Sequence, residues 1–364
     1  MMIMKISRDV VLTLSDTLRQ FAFPVRESLS YLLFLILPAS ICGCNILEIE
    51  TDNPISPEAY AFIDSTFITR TSIDIKDKIS SLDVFTFNDD RLERLDSYQR
   101  FEDEELANNS CSIGTGSGRK RVIMLANSQA NVYEWADINC RRALEKRRFE
   151  LEDEDPEFPF MIGDFRIDAG GTLFSELERL TAEVVLRSIR CDFSKKSYAG
   201  AELTDVKIYL TNVNASCGIW HDEDESPARI INTGRLNMDD MNRFTHPDIV
   251  YREHDSPIGS QRIYPDITLM AYESSHREES IGTPYTKIVI EGKINGNTYY
   301  YPIAINRDGE TNDYGLRRNM RYIYDITIRR TGLTDPDGNI QDTVADIEMI
   351  VEKWKELDWY DIRF

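Results

Sequence analysis

The sequence predicts an all-β-dominated fold: β-sandwiches accompanied by one or two short helices. Three observations predict it. Strictly alternating runs recur along the chain. The cleanest is residues 205–211, DVKIYLT, with Val206, Ile208 and Leu210 on one face and Asp205, Lys207, Tyr209 and Thr211 on the other. Turn chemistry separates such runs, most sharply at Asn295-Gly296 between TKIVIEGKI and NTYYYPIAI, because both residues of that turn must accept positive φ. Only one segment, residues 131–151 (NVYEWADINCRRALEKRRFEL), reads as a helix, with good helix formers, no Gly or Pro, and apolar contacts at Val132, Trp135 and Ile138.

The first element is a leader. The apolar run 31–41 contains Pro38 and is too short for a bilayer span, which needs about 20 residues. Lys5, Arg8, Arg19 and Arg26 precede it and small residues follow, the layout of a secretory signal. Ile41-Cys42-Gly43-Cys44 resembles the lipobox of bacterial lipoproteins, so Cys44 is the expected lipidation site and residues 1–43 the discarded signal peptide. A single acyl chain holds a protein only reversibly, whereas a multiply acylated cysteine anchors it firmly. Glu48, Glu50 and Asp52 follow at once and read either as a surface-export signal or as a solvated tether.

Residues 60–70, YAFIDSTFITR, read as a first strand ending at Arg70. A polar segment separates it from the next strand, at 82–87. An N-terminal strand so connected is either an ordinary first strand or a detachable one, and Arg70 stands where a trypsin-like protease cuts. Further strands are expected at 122–126, 182–189, 267–273, 286–294, 297–305 and 321–329. The last of these places Tyr322, Tyr324, Ile326 and Ile328 on one face. A turn at Asp335-Pro-Asp-Gly precedes the closing run ADIEMIVEKW. The polar stretch 221–262 is the expected linker. The resulting division is a tether and first strand at 44–80, one sandwich at 81–225 and a second at 226–364, since about 320 mature residues exceed what one core usually holds.

Charge and composition exclude several functions. The chain carries a net charge of −21; the leader's four basic and three acidic residues leave −22 on residues 44–364. So acidic a chain is poorly suited to nucleic acid or anionic lipid. Cys111, Cys140, Cys191 and Cys217 show no C-x-x-C spacing, which argues against zinc and nominates no disulfide. The four histidines are scattered among acidic loops, and no nucleophile, base and orienting group assemble, so no enzyme and no cofactor are expected. GTGSG at 114–118 precedes a strand rather than a helix, which makes it a flexible loop and not a phosphate loop. Arg119-Lys120-Arg121 reads as an exposed basic step. HDEDE at 221–225 lacks the spaced oxygens of a calcium loop. Trp354 and Trp359 read as core or interface aromatics, with a ligand platform as the alternative.

Taken in order, these motifs resemble the type V pilins, the fimbrillin-like subunits of bacteroidete-type fimbriae. The resemblance runs from Cys44 and Thr69-Arg70 through SLDVFTFND (81–89), RVIMLAN (121–127), FMIGDF (160–165) and LERLTAEVVLRSI (177–189). It continues in YYYPIAIN (299–306), LRRNMRYIYDITIRRTG (316–332) and IVEKW (350–354). It implies two transthyretin-like, Greek-key sandwiches and a lipoprotein attached to the outer membrane through Cys44. It also implies a cell-surface fimbrium built from other fimbrial subunits by strand exchange and used in adhesion. Mapped onto this chain, residues 60–69 are the removable strand, cleavage falls between Arg70 and Thr71, and the donor lies within 344–364. The alternatives are a fimbrial anchor that keeps its strand and lipid, and a monomeric glycan-binding surface lipoprotein.

Overall fold

The computed structural model describes residues 63–67, 78–102, 106, 112–129, 135–168, 172–175, 177–220, 227–276, 278–307, 314–338, 345–353 and 360–363. All of them fall within one compact unit, Pro57–Phe364. The strands of its N-terminal half are β1 (Ile63–Phe67), β2 (Ser81–Asn88), β3 (Leu95–Glu102), β4 (Ser112–Thr115), β5 (Arg119–Ala126), β6 (Arg148–Glu150), β7 (Met161–Asp168), β8 (Thr172–Ser175) and β9 (Glu178–Arg179). Then come β10 (Thr181–Cys191), β11 (Thr204–Thr211), β12 (Val213–Asn214), β13 (Ser216–Gly218), β14 (Ile230–Ile231), β15 (Tyr251–His254) and β16 (Ile267–Tyr272). The chain closes with β17 (Lys287–Ile294), β18 (Asn297–Ala304), β19 (Met320–Ile328), β20 (Ala345–Lys353) and β21 (Tyr360–Arg363). Among the described residues the α-helices are α1 (Arg141–Glu145) and α2 (Met238–Met241).

Two four-stranded sheets, β16-β10-β19-β20 and β15-β11-β17-β18, make a sandwich. Alternation explains why they face each other. Ala182, Val184 and Leu186 of β10, with Tyr322, Tyr324, Ile326 and Ile328 of β19, share one cluster with Val206, Ile208 and Leu210 of β11 and Ile288 and Ile290 of β17. β10 and β19 are parallel neighbours, while every other pair in these two sheets is antiparallel. The β17–β18 hairpin turns at Asn295 (φ 50) and Gly296 (φ 83), the conformation the Asn-Gly pair prefers. The outer face of β11 is drier than its sequence suggests. Tyr209 and Thr211 are buried, and the Tyr209 hydroxyl donates to Glu291 at 3.2 Å.

A five-stranded sheet, β3-β2-β5-β7-β9, lies ahead of this sandwich in sequence. It is buried on both faces, which is why β2 is covered over seven consecutive residues. Phe85, Phe87, Ile123 and Leu125 point into the cluster shared with the sandwich. Leu82, Val84, Val122, Met124 and Ala126 point the other way into a second, smaller core.

The structure differs from the expected elements in several places. The helix foreseen over 131–151 is confined, among the described residues, to α1. Cys140 is extended (φ −155, ψ 162) and pairs with Arg94, and residues 148–150 form β6 against β13. Tertiary contacts override the propensity here: Trp135 packs edge-on to Phe85 at 5.3 Å, and Phe149 is buried against Phe160 at 5.4 Å. The strands do not pair along a line at residue 225. β10 and β11, on its N-terminal side, form their main ladders with strands beyond 250, while β13 pairs back with β6 and β21 with β1 and β8. The stretch 221–262 is likewise no plain linker, since β14, α2 and β15 lie within it. Finally, Arg119-Lys120-Arg121 begins β5; Arg119 is exposed but the Lys120 side chain is only 1% accessible.

Candidate functional site

The second face of the five-stranded sheet is a slot that needs a cover. Leu82 and Val84 of β2, Val122, Met124 and Ala126 of β5 and Met161 of β7 line its floor, joined by Phe101 of β3 and Leu177. Burying so many aliphatic side chains stabilises a domain by about 25 cal/mol per Å² of apolar surface removed from water. Whatever covers the slot therefore contributes strongly to stability. β4 brings Ile113, 1% exposed, into this cluster.

β4 belongs to a four-stranded sheet in the order β4-β1-β21-β8. β1 is an inner strand of that sheet. It runs antiparallel to β4, with Ile63 opposite Thr115 and Thr66 opposite Ser112, and antiparallel to β21, with Thr66 opposite Arg363 and Phe67 opposite Ile362. β21 in turn pairs with β8 from Tyr360 opposite Ser175 to Arg363 opposite Thr172. The first and last strands among the described residues thus lie side by side. Withdrawing β1 would bare the main chain of β21 and of β4, whose Ile113 belongs to the apolar cluster. An unpaired edge over an apolar floor is the arrangement that accepts an added strand.

Solved structures with the same architecture decide the fold. A fimbrilin from Porphyromonas gingivalis W83 superposes with a TM-score of 0.56 at 14% identity, covering 82% of this chain and 99% of that one. The fold is fimbrilin-like. A candidate cell adhesion protein from Parabacteroides distasonis matches with a TM-score of 0.57 at 15% identity, over 80% of this chain and 97% of its own. Another from Bacteroides eggerthii gives 0.55 at 14%, over 80% and 94%. No protein-family profile and no curated protein matches the sequence.

Within this fimbrilin-like fold, the sequence-expected site residues separate into groups. Cys44, Arg70 and Thr71 lie outside the described residues, as do Cys111, Trp354, Trp359 and residues 221–225. Of the expected first strand 60–69, residues Ile63–Phe67 are described as β1. The expected donor region 344–364 contributes two strands to two different sheets, β20 at the edge of the sandwich and β21 beside β1. Gly114 of the glycine-rich stretch is part of β4, opposite Asp64 of β1, and the turn itself is Gly116–Gly118. Cys140, Cys191 and Cys217 carry free thiols. Burial pushes the Cys191 thiol up to about 12 and raises Cys217 as well, so both are inert.

The glycan-binding alternative needs an open aromatic platform. A cavity of about 420 Å³ is lined by Trp220, Asp164, Glu178 and Arg318 among others. Its polar walls are committed elsewhere. Asp164 accepts from Arg121 and from the Trp220 indole at 3.0 Å, Arg141 covers the Trp220 ring at 5.5 Å, and Arg318 donates to Glu273 and to the Ile219 carbonyl. The guanidinium of Arg121 and the Trp220 N–H outweigh desolvation and hold the Asp164 carboxyl below its usual range. The cavity is a braced seam rather than a sugar platform.

Sequence reasoning missed the doubly buried central sheet. Its signal was present in LDVFTF and VIMLA, runs with too little alternation for one wet face.

Proposed function

We propose that this protein is a structural subunit of a cell-surface fimbrium, delivered as a lipoprotein acylated at Cys44 and polymerised by strand exchange. The observation that carries the reading is the position of β1: an inner strand paired with β4, whose Ile113 enters the slot, with Arg70 soon after its last described residue. Cleavage between Arg70 and Thr71 releases the first strand together with the lipid. A neighbour's C-terminal segment then supplies main-chain hydrogen bonds to β4 and apolar side chains to the slot. The contact joins two different surfaces, so it propagates head to tail into a filament. The partners are other fimbrial subunits, the location is the outer surface of the outer membrane, and the role is adhesive and structural rather than enzymatic.

The test uses residues 45–364 treated with an arginine-specific protease. A new N-terminus at Thr71 and a ladder of oligomers on an unboiled gel are expected, and Arg70→Ala abolishes both. A chain cut at Arg70 that stays monomeric overturns strand exchange. Loss of palmitate labelling in Cys44→Ala tests the lipid separately.

A second reading is favoured by the β1–β21 pairing. A chain that keeps β1 paired with β21 in its own sheet exchanges neither strand, retains its lipid and serves as an anchor. Resistance at Arg70 in the folded protein selects it.

A further inference from the structure

Lys120 is the one residue of the basic step that is turned inward, and it meets an unusual pair of neighbours. Its Nζ lies 2.6 Å from the Asn88 side-chain oxygen and 3.1 Å from Asp96 Oδ2, with the lysine side chain 1% accessible. Asn88 and Lys120 stand directly opposite each other on the antiparallel strands β2 and β5. Opposed residues have Cβ atoms only about 5 Å apart, so the long lysine chain has to buckle to place its amine on the amide. Asp96 is there because of a bulge: Thr86 pairs with Ser97 and Phe87 with Leu95, which leaves Asp96 as the extra residue. Its Oδ2 is fixed by the Gly116 backbone N–H at 2.7 Å.

We propose that Lys120 and Asn88 form an intramolecular isopeptide bond, with Asp96 moving the protons. A primary amine buried against a half-buried carboxamide, with a carboxylate at its side, provides the components of an amide exchange. Fixing them in one strand pair supplies the proximity that a free amine in solution lacks. Asp96 takes a proton from the Lys120 ammonium, and the neutral Nζ attacks Cγ of Asn88. The Cγ–Nδ2 bond breaks as Asp96 returns a proton to the departing nitrogen and accepts one from Nζ. The products are a Lys–Asn amide and ammonia, which leaves as ammonium with the proton the lysine began with. No oxidant or metal is needed, and escape of ammonia makes the step irreversible. Asp96, 20% accessible, is left hydrogen-bonded to Gly116 and water. The bond would staple β2 to β5 at the rim of the slot, where a pulling load along a fibre would otherwise peel the two strands apart.

The experiment is a tryptic digest of the denatured full chain read by mass spectrometry. Cleavage after Lys78, Arg91, Arg119 and Arg121 isolates residues 79–91 and residues 120–121. The expected product is one branched peptide that joins them and is lighter than the two together by one ammonia. It disappears in Lys120→Arg and in Asn88→Ala, and accumulates more slowly in Asp96→Ala. Should those variants fail to fold, the unmodified chain alone decides. Recovery of 79–91 as a linear peptide, with Asn88 either intact or hydrolysed to the acid, overturns the proposal.

Discussion

Glu154 shows how much a single residue can be governed by what the chain brings around it. It is wholly buried, and burial pushes its carboxyl up to about 8 from 4.5, only partly offset by hydrogen bonds from the Phe160 N–H and the Tyr272 hydroxyl. The folded chain therefore holds a proton between those two values that the unfolded chain releases. The stability this contributes is fully present below pH 4.5 and is lost as the pH rises through 8, at up to ~1.4 kcal/mol per unit. Glu154→Gln keeps the shape of the protonated acid without the titration. Urea midpoints across this range are expected to fall with pH in the parent and to stay flatter in the variant, which becomes the more stable of the two at alkaline pH. Equal slopes would refute the buried-acid account. Nothing in the sequence marks this glutamate, which stands among other acidic residues in EDEDPE. The backbone turn Leu151–Asp153 takes it inside. Lys120 hides in the same way within an apparently exposed basic step.

Elements were legible where local pattern and tertiary need agree. The inward faces of 205–211 and 321–329 and the Asn295-Gly296 hairpin follow from alternation and positive φ alone. They fail to be legible where long-range contacts decide. Residues 131–151 have helix propensity, yet Trp135, Phe149 and Leu151 are each buried by partners far away in sequence. The pairing of β10 with C-terminal strands was hidden for the same reason: its parallel partner arrives only at β19. Of the candidate site, the first strand was visible, but not the slot floor it stands beside nor the return of β21 to its side. That return matters for the order of assembly, because β1 is held from both sides. Ser65→Pro removes a main-chain donor from the middle of this inner strand, at a cost of about 1 kcal/mol for the lost ladder hydrogen bond, in a place where sheets seldom admit proline. It is expected to raise amide exchange in β4 and to hasten release of the first strand once Arg70 is cut. Unchanged exchange at Ile113, which stands opposite Ser65, would show that β1 does not hold the sheet closed.

At the scale of the whole molecule, charge opposes the proposed assembly. Cleavage at Arg70 leaves residues 71–364, which carry −18, and a head-to-tail fibre brings such chains end to end at close spacing. The attraction that joins them is short-ranged, made of main-chain hydrogen bonds and apolar side chains in the slot, and salt leaves it almost untouched. The repulsion is long-ranged: its screening length falls from about 30 Å at 0.01 M salt to about 8 Å at 0.15 M. Approach therefore limits polymerisation at low salt, while the finished contact is indifferent to it. Subunits cut at Arg70 are expected to polymerise faster as sodium chloride rises through that range, followed by light scattering from a fixed starting concentration. Preformed oligomers diluted into either buffer should fall apart at similar rates. Charge reversal on exposed acids of the C-terminal strands, such as Asp346 and Glu352, should remove part of the salt dependence without altering the end point. Polymerisation that slows as salt rises would mean that complementary charges guide the ends together, and the acidic surface would then have to be read as half of a matched pair.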